Sequence, residues 1–218
     1  MKNASLIKFT SAVIFYFATA GIFAQDITLP SPVKQGGKPL MQALNERHTT
    51  RAFKTESLSL QQLSDLLWAA WGFNRPEEKK RTAPSARNMQ EIDVYVSLES
   101  GLYVYDAVNN ILKQIHNRDI RNLCGTQDFV GKAPVNLVYV ADMGKVGKKE
   151  GDKIGDSDLL WPYANCGFIA QNVYLYCASA NLGCVIRGLI PKEKLATEMG
   201  LRPNQMILLS QTIGVPQN

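Results

Sequence analysis

Three short stretches carry residue types that could do chemistry. In Asn45–Phe53, "NERHTTRAF", Arg47, Thr49 and Arg51 recur at every second position. An extended backbone sends alternate side chains to one side, so two guanidinium forks and a hydroxyl would share a face. That set suits a phosphate, because guanidinium donates bidentate, charge-assisted hydrogen bonds. The same spacing also fits a solvated edge strand. In Arg81–Gln90, "RTAPSARNMQ", Pro84 fixes the backbone while Ser85, Asn88 and Gln90 supply donors and acceptors. The stretch is either a ligand loop or a turn that caps its own backbone. In Gly183–Pro191, "GCVIRGLIP", glycine after Arg187 would let backbone N–H groups come close to a ligand. A plain crossover loop is the other reading.

Other routes to chemistry are missing from the pattern. The chain shows no G-x-G-x-x-G, no G-x-x-x-x-G-K-[ST] and no G-x-S-x-G. His48 and His116 lie far apart with no metal-ligand spacing, and no metal is expected. Cys124, Cys166, Cys177 and Cys184 form no C-x-x-C, and they read as small buried core residues with free thiols. No Cys–His or paired-carboxylate arrangement stands out, so no catalytic side chain is named. A catalyst with so few acid–base groups would lean on an organic cofactor.

The elements that must position these residues can be read in outline. Of 218 residues, the first 24 stand apart: Lys2 and Lys8, then an apolar run from Phe9 to Phe23, then Ala24. This is the layout of an export signal cut after Ala24, with Ala20 as a competing site and an uncleaved anchor as the alternative. Export to the periplasm or cell envelope is expected, with no stable membrane span after cleavage. Losing Lys2 and Lys8, with no acid, lowers the net charge from +5 to +3. That is too mild for a nucleic-acid surface. Residues 25–37 read as an extended lead-in and 38–218 as one domain.

Within that domain, Lys38–Arg47 fits a short helix. Ser59–Gly72 fits a clear one, with a capping-box Ser59–Gln62 pair and apolar residues at helical spacing. Phe73–Arg81 reads as a charged loop. Strands are expected at Ile92–Leu98, on either side of a turn at Asp106–Asn110, at Ala133–Asp142 with both faces buried, and at Gln205–Pro216. Met143–Asp158 is polar and Gly-rich, and reads as a flap over a substrate. Leu159–Gly183 fits a long helix with Pro162 in its first turn, apolar nearly all round. Pro191 opens a last short helix. Helices and strands do not alternate, so the class is α+β.

Taken in order, these segments resemble the nitroreductase superfamily of FMN-dependent oxidoreductases. "RHTTRAF" is similar to its R-x-S-x-R/K-x-F phosphate motif, with Thr49 for the usual Ser, and "APSARNMQ" to its A-P-S-x-x-N-x-Q loop. "AQNVYLYCASANLGCVIRG" resembles its central helix and flavin-edge loop, and "IGVP" its closing strand. The hairpin carrying Tyr103, Tyr105 and Asp106 is similar to the branch of the SagB-type thiazole/oxazole-forming dehydrogenases. "NCG" at Asn165–Gly167 replaces that branch's frequent Asp-Ala-Gly. The resemblance implies a central mixed or antiparallel sheet flanked by helices in an intertwined homodimer, with FMN at the interface. Arg47, Thr49 and Arg51 would take the FMN phosphate, with His48 contributing backbone. Pro84, Ser85, Ala86 and Asn88 would reach the flavin from the partner. Arg187 and Gly188 would lie beside its ring, a backbone N–H near N5. It further implies ping-pong reduction of a nitroaromatic or quinone-like electrophile by NAD(P)H or another donor, or dehydrogenation of a small or peptide-derived substrate. A non-catalytic flavin- or ligand-binding protein of the same fold is the alternative.

Overall fold

A computed structural model describes residues 25–217. The expected export signal lies outside the described residues. Seven strands form one sheet in which every pairing is antiparallel. In chain order they are β1 (Ile27–Thr28), β4 (Ile92–Leu98), β5 (Gly101–Asp106), β6 (Ile111–His116), β7 (Val135–Asp142), β8 (Gly183–Arg187) and β9 (Gln205–Gly214). Across the sheet the order is β1-β6-β5-β4-β7-β9-β8. The central β7 is buried along its whole length. Leu137, Tyr139 and Ala141 face one apolar cluster, and Val138 and Val140 face another. Two covered faces are what its unbroken apolar run requires. Each Leu or Val buried there contributes about 1.5–3 kcal/mol.

Helix α2 (Leu60–Trp71) and helix α3 (Asp156–Ser179) pack on the first face, burying Leu66, Leu67, Ile169 and Val173. Helix α4 (Lys192–Met199) closes the second with Leu195 and Met199. Helix α1 (Leu40–Glu46) lies against α3. The capping box forms as read: Gln62 N–H donates to Ser59 Oγ at 3.2 Å, and Ser59 N–H donates to Gln62 Oε1 at 2.9 Å. All four cysteines are free and buried. No helix among the described residues is long and apolar enough to cross a membrane.

Four local expectations give way. Phe73–Arg81 is not a bare loop but a small hairpin, β2 (Phe73–Arg75) with β3 (Lys80–Arg81). Arg81 holds it, stacking on Phe73 at 4.1 Å and Trp71 at 4.6 Å, contacts that a count of charges hides. Helix α3 begins at Asp156, so Pro162 sits in its second turn. Acidic Asp156 and Asp158 favour the earlier start at the positive helix end, and Asp158 accepts from Gly155 N–H at 3.0 Å. Residues 183–187 are not a crossover loop but the edge strand β8. The flap segment is partly ordered as a 3-10 turn, Met143–Val146, capped by Asp142.

Candidate functional site

The 47–51 segment is pinned along the edge of β8. Thr50 N–H donates to Cys184 O at 3.0 Å, and Phe53 bridges to Pro216. Packing is tight: a side-chain carbon on Gly183 would meet Thr50 Cβ at 2.7 Å, so only glycine fits. The Arg47 guanidinium lies 5.2 Å over the Tyr174 ring. Tyr174 OH accepts from Ile186 N–H at 3.2 Å, which leaves its hydrogen free for Thr49 Oγ1, also at 3.2 Å. Tyr174 on α3 thus ties the Arg47–Thr49 face to β8. His48 is exposed, and its Nδ1–H donates to Glu46 O at 2.7 Å. Among the described residues neither Arg47 nor Arg51 has a carboxylate partner.

Arg187 behaves differently from its two counterparts. Its side chain turns into the interior, where it donates to Cys124 O, Asn136 Oδ1, Ser210 Oγ and Thr212 Oγ1. Burial lowers its pKa to about 10. Gly125 is required opposite it, because a Cβ there would fall 1.8 Å from the guanidinium. The Arg187 side chain is not free for a ligand, and its backbone is paired with Ser210 of β9. The next residue, Gly188, is exposed, and a Cβ there would meet only Leu209 Cδ2 at 3.7 Å.

Residues 84–90 form a strained loop. Arg87, Asn88 and Gln90 all take left-handed φ values, +53°, +55° and +50° respectively, at about 1–3 kcal/mol each. A hydrogen-bond network offsets that cost. Arg81 Nε donates to Gln90 Oε1 at 2.6 Å and Arg81 Nη1 to Trp71 O at 2.6 Å. Gln90 N–H donates to Ser85 Oγ at 2.9 Å, and Ala86 N–H donates to Asn165 Oδ1 at 3.1 Å. Behind them lies Glu91, which accepts from Asn165 Nδ2 at 2.6 Å and from Ser85 Oγ at 3.3 Å. The loop separates two cavities. One, of about 250 Å³, is lined by Ala86, Glu91, Met143, Trp161 and Asn165. The other, of about 590 Å³, is lined by Pro84, Ser85, Asn88 and the basic Arg75 and Lys80.

Within one chain the two groups of candidate residues sit on different parts of α3. Tyr174 holds one and Asn165 the other, nine residues apart, or roughly 13 Å at 1.5 Å per residue. Sequence reading missed Tyr174, Glu91 and Arg81. The available signals were a Glu just before an alternating strand and one Arg placed between aromatics. Asn165 was visible as a polar residue in an apolar helix, without its partners.

This fold and these pinned, strained segments define an α+β protein with cationic and polar loops set on an antiparallel sheet. The chain matches the model of the nitroreductase family over residues 44–215 and belongs to that family, which places it among oxidoreductases. A Methanocaldococcus jannaschii protein named "Putative nitroreductase" is 26% identical over 180 residues, 78% of this chain and 88% of that one. The crystal structure of a "putative nitroreductase" from Ralstonia eutropha JMP134 shares 44% identity, with a TM-score of 0.81 over 88% of this chain and 90% of that one. The Escherichia coli microcin synthetase McbBCD complex shares the fold at 19% identity and a TM-score of 0.67, over 97% of this chain and 85% of that one.

Proposed function

We propose that the protein is an FMN-dependent oxidoreductase that works as a homodimer and passes electrons to a small electrophile of the nitroaromatic or quinone kind. One observation carries this reading. Two arginines and a threonine hydroxyl, Arg47, Arg51 and Thr49, stand on a pinned segment where, among the described residues, no carboxylate neutralises them. A phosphoester dianion is the natural partner of such a set. The surroundings also fit a planar ring nearby, since Gly188 is open and the Arg187 side chain is out of the way.

When bound, FMN supplies hydride and single-electron chemistry that no side chain here offers. Arg47, Thr49 and Arg51 hold its phosphate, with His48 lending backbone. Gly188 would present its backbone N–H to the ring edge, because Arg187 is paired with Ser210 of β9. Pro84, Ser85, Ala86 and Asn88 close the site from the partner subunit, their loop held rigid by Asn165. Turnover is ping-pong, with NAD(P)H or another reduced carrier as donor, and the site of action is the periplasm or cell envelope. The buried Tyr103 and Tyr105 and the turn at Asp106 support placement in the branch of SagB-type dehydrogenases and their stand-alone relatives.

Purified protein should be yellow and release flavin on denaturation, and NADH or NADPH should bleach it anaerobically. A colourless protein that ignores added FMN would overturn the reading. A yellow one that resists every donor would support flavin binding without turnover.

A further inference from the structure

We propose that the cavity over Glu91 is a binding site for a small, one-ring compound carrying a cationic nitrogen head group. At about 250 Å³ it is smaller than the ~300–1,000 Å³ of pockets for drug-sized ligands. Its inner end is formed by Glu91 and Asn165, each only 1% exposed. Its walls are Met89, Met143, Val146 and Trp161, the last 61% exposed at the rim.

The protonation pattern at the inner end follows from the backbone. Ala86 N–H donates to the Asn165 oxygen, so the Asn165 amide must turn its NH2 to Glu91. Gln90 N–H donates to Ser85 Oγ, so the Ser85 hydrogen is free for the other Glu91 oxygen. Each Glu91 oxygen thus faces one side-chain donor, the Asn165 NH2 or the Ser85 hydroxyl. Each donor is neutral. Among the described residues no Lys, Arg or His forms an ion pair with Glu91. Of the cations in the lining, Lys148 is paired with Asp158 at 2.8 Å, and Arg87 is exposed. A buried charge without a counter-ion costs several kcal/mol. An ammonium or amidinium that enters the cavity removes that cost, and the Trp161 ring can take the ligand's flat face or its charge.

The cavity shares Ala86 with the flavin loop, so a ligand here would be the substrate or a guide to it. That role rests on the flavin reading, whereas the binding itself does not. The test uses calorimetry on the full-length protein as purified, with benzamidine as the probe and benzamide as its uncharged counterpart. Benzamidine should bind at least about tenfold tighter, or ~1.4 kcal/mol. In Glu91→Gln that preference should vanish while benzamide binding stays within about twofold, which shows the cavity intact. Trp161→Ala, at an exposed position, should weaken benzamidine by about threefold or more, as loss of a ~0.5–1 kcal/mol ring contact predicts. Equal affinity for the two probes on the unaltered protein, or an undiminished preference in Glu91→Gln, overturns the proposal. Flavin content measured on the same samples keeps the two readings apart: colourless protein with the benzamidine preference would refute FMN and retain the site.

Discussion

Arg47 and Arg187 show how one residue type serves two ends. Arg187 is 6% exposed, and its two terminal nitrogens donate to Cys124, Asn136, Ser210 and Thr212. It is a bolt through β7, β8 and β9. Arg47 is half-buried over Tyr174, and no carboxylate among the described residues answers it. Sequence could assign both to a ligand because each stands in a loop-like string of polar and small residues. It could not show which way a strand end turns, and that depends on which face of β8 meets the core. Arg47→Ala should therefore leave the fold unchanged and weaken FMN by about tenfold or more, since charge-assisted hydrogen bonds are each worth roughly 1.5–3 kcal/mol. Titration of flavin fluorescence on the apoprotein measures it, and an unaltered affinity would move the phosphate elsewhere.

At the scale of elements, periodicity carried most of the reading. Helix α2, strand β7 and the β5–β6 hairpin follow from spacing, because one face or both faces of each are buried and the pattern has to match. The β2–β3 hairpin was hidden because its stability comes from Arg81 stacked on Trp71 and Phe73, a tertiary contact between residues of unlike type. The start of α3 was hidden because Asp156 and Asp158 look like loop residues until the helix end lends them a purpose. The β5–β6 turn offers a quantitative check. Partial burial alone would raise the pKa of Asp106, but Lys113, the Asn109 side chain and the Asn109 and Val108 N–H groups together hold it at about 2. Its folded value lies below the ordinary 3.8. The stability it confers is thus present above about pH 4 and lost as pH falls toward 2. Melting temperatures of the unaltered protein and Asp106→Asn should differ at pH 6 and converge between pH 4 and 2. A constant difference across that range would show that the turn does not depend on the carboxylate.

At the scale of the whole molecule, the surface of α3 and α1 poses a question that one chain cannot answer. Phe168 on α3 is 47% exposed, and Leu40 and Met41 on α1 are 63% and 75% exposed. Apolar exposure on two adjoining helices is the face on which the proposed homodimer would form. The same helix anchors both groups of candidate flavin residues, through Tyr174 and Asn165, yet holds them roughly 13 Å apart along its axis. Pairing two copies across α3 would set the Arg47–Thr49 face of one chain against the 84–88 loop of the other, completing two sites at once. A helix apolar nearly all round fits such a pairing, with one side packed on this core and the other open to a second copy. Phe168→Glu places a charge in that contact without touching the sheet. It should convert dimers to monomers in sedimentation velocity, keep the circular dichroism of the unaltered protein, and lose bound flavin in step with dissociation, because each half-site alone lacks the other's groups. Monomers that keep their flavin would show that one chain holds the cofactor unaided, and a dimer that survives the substitution would move the interface off this face of α3.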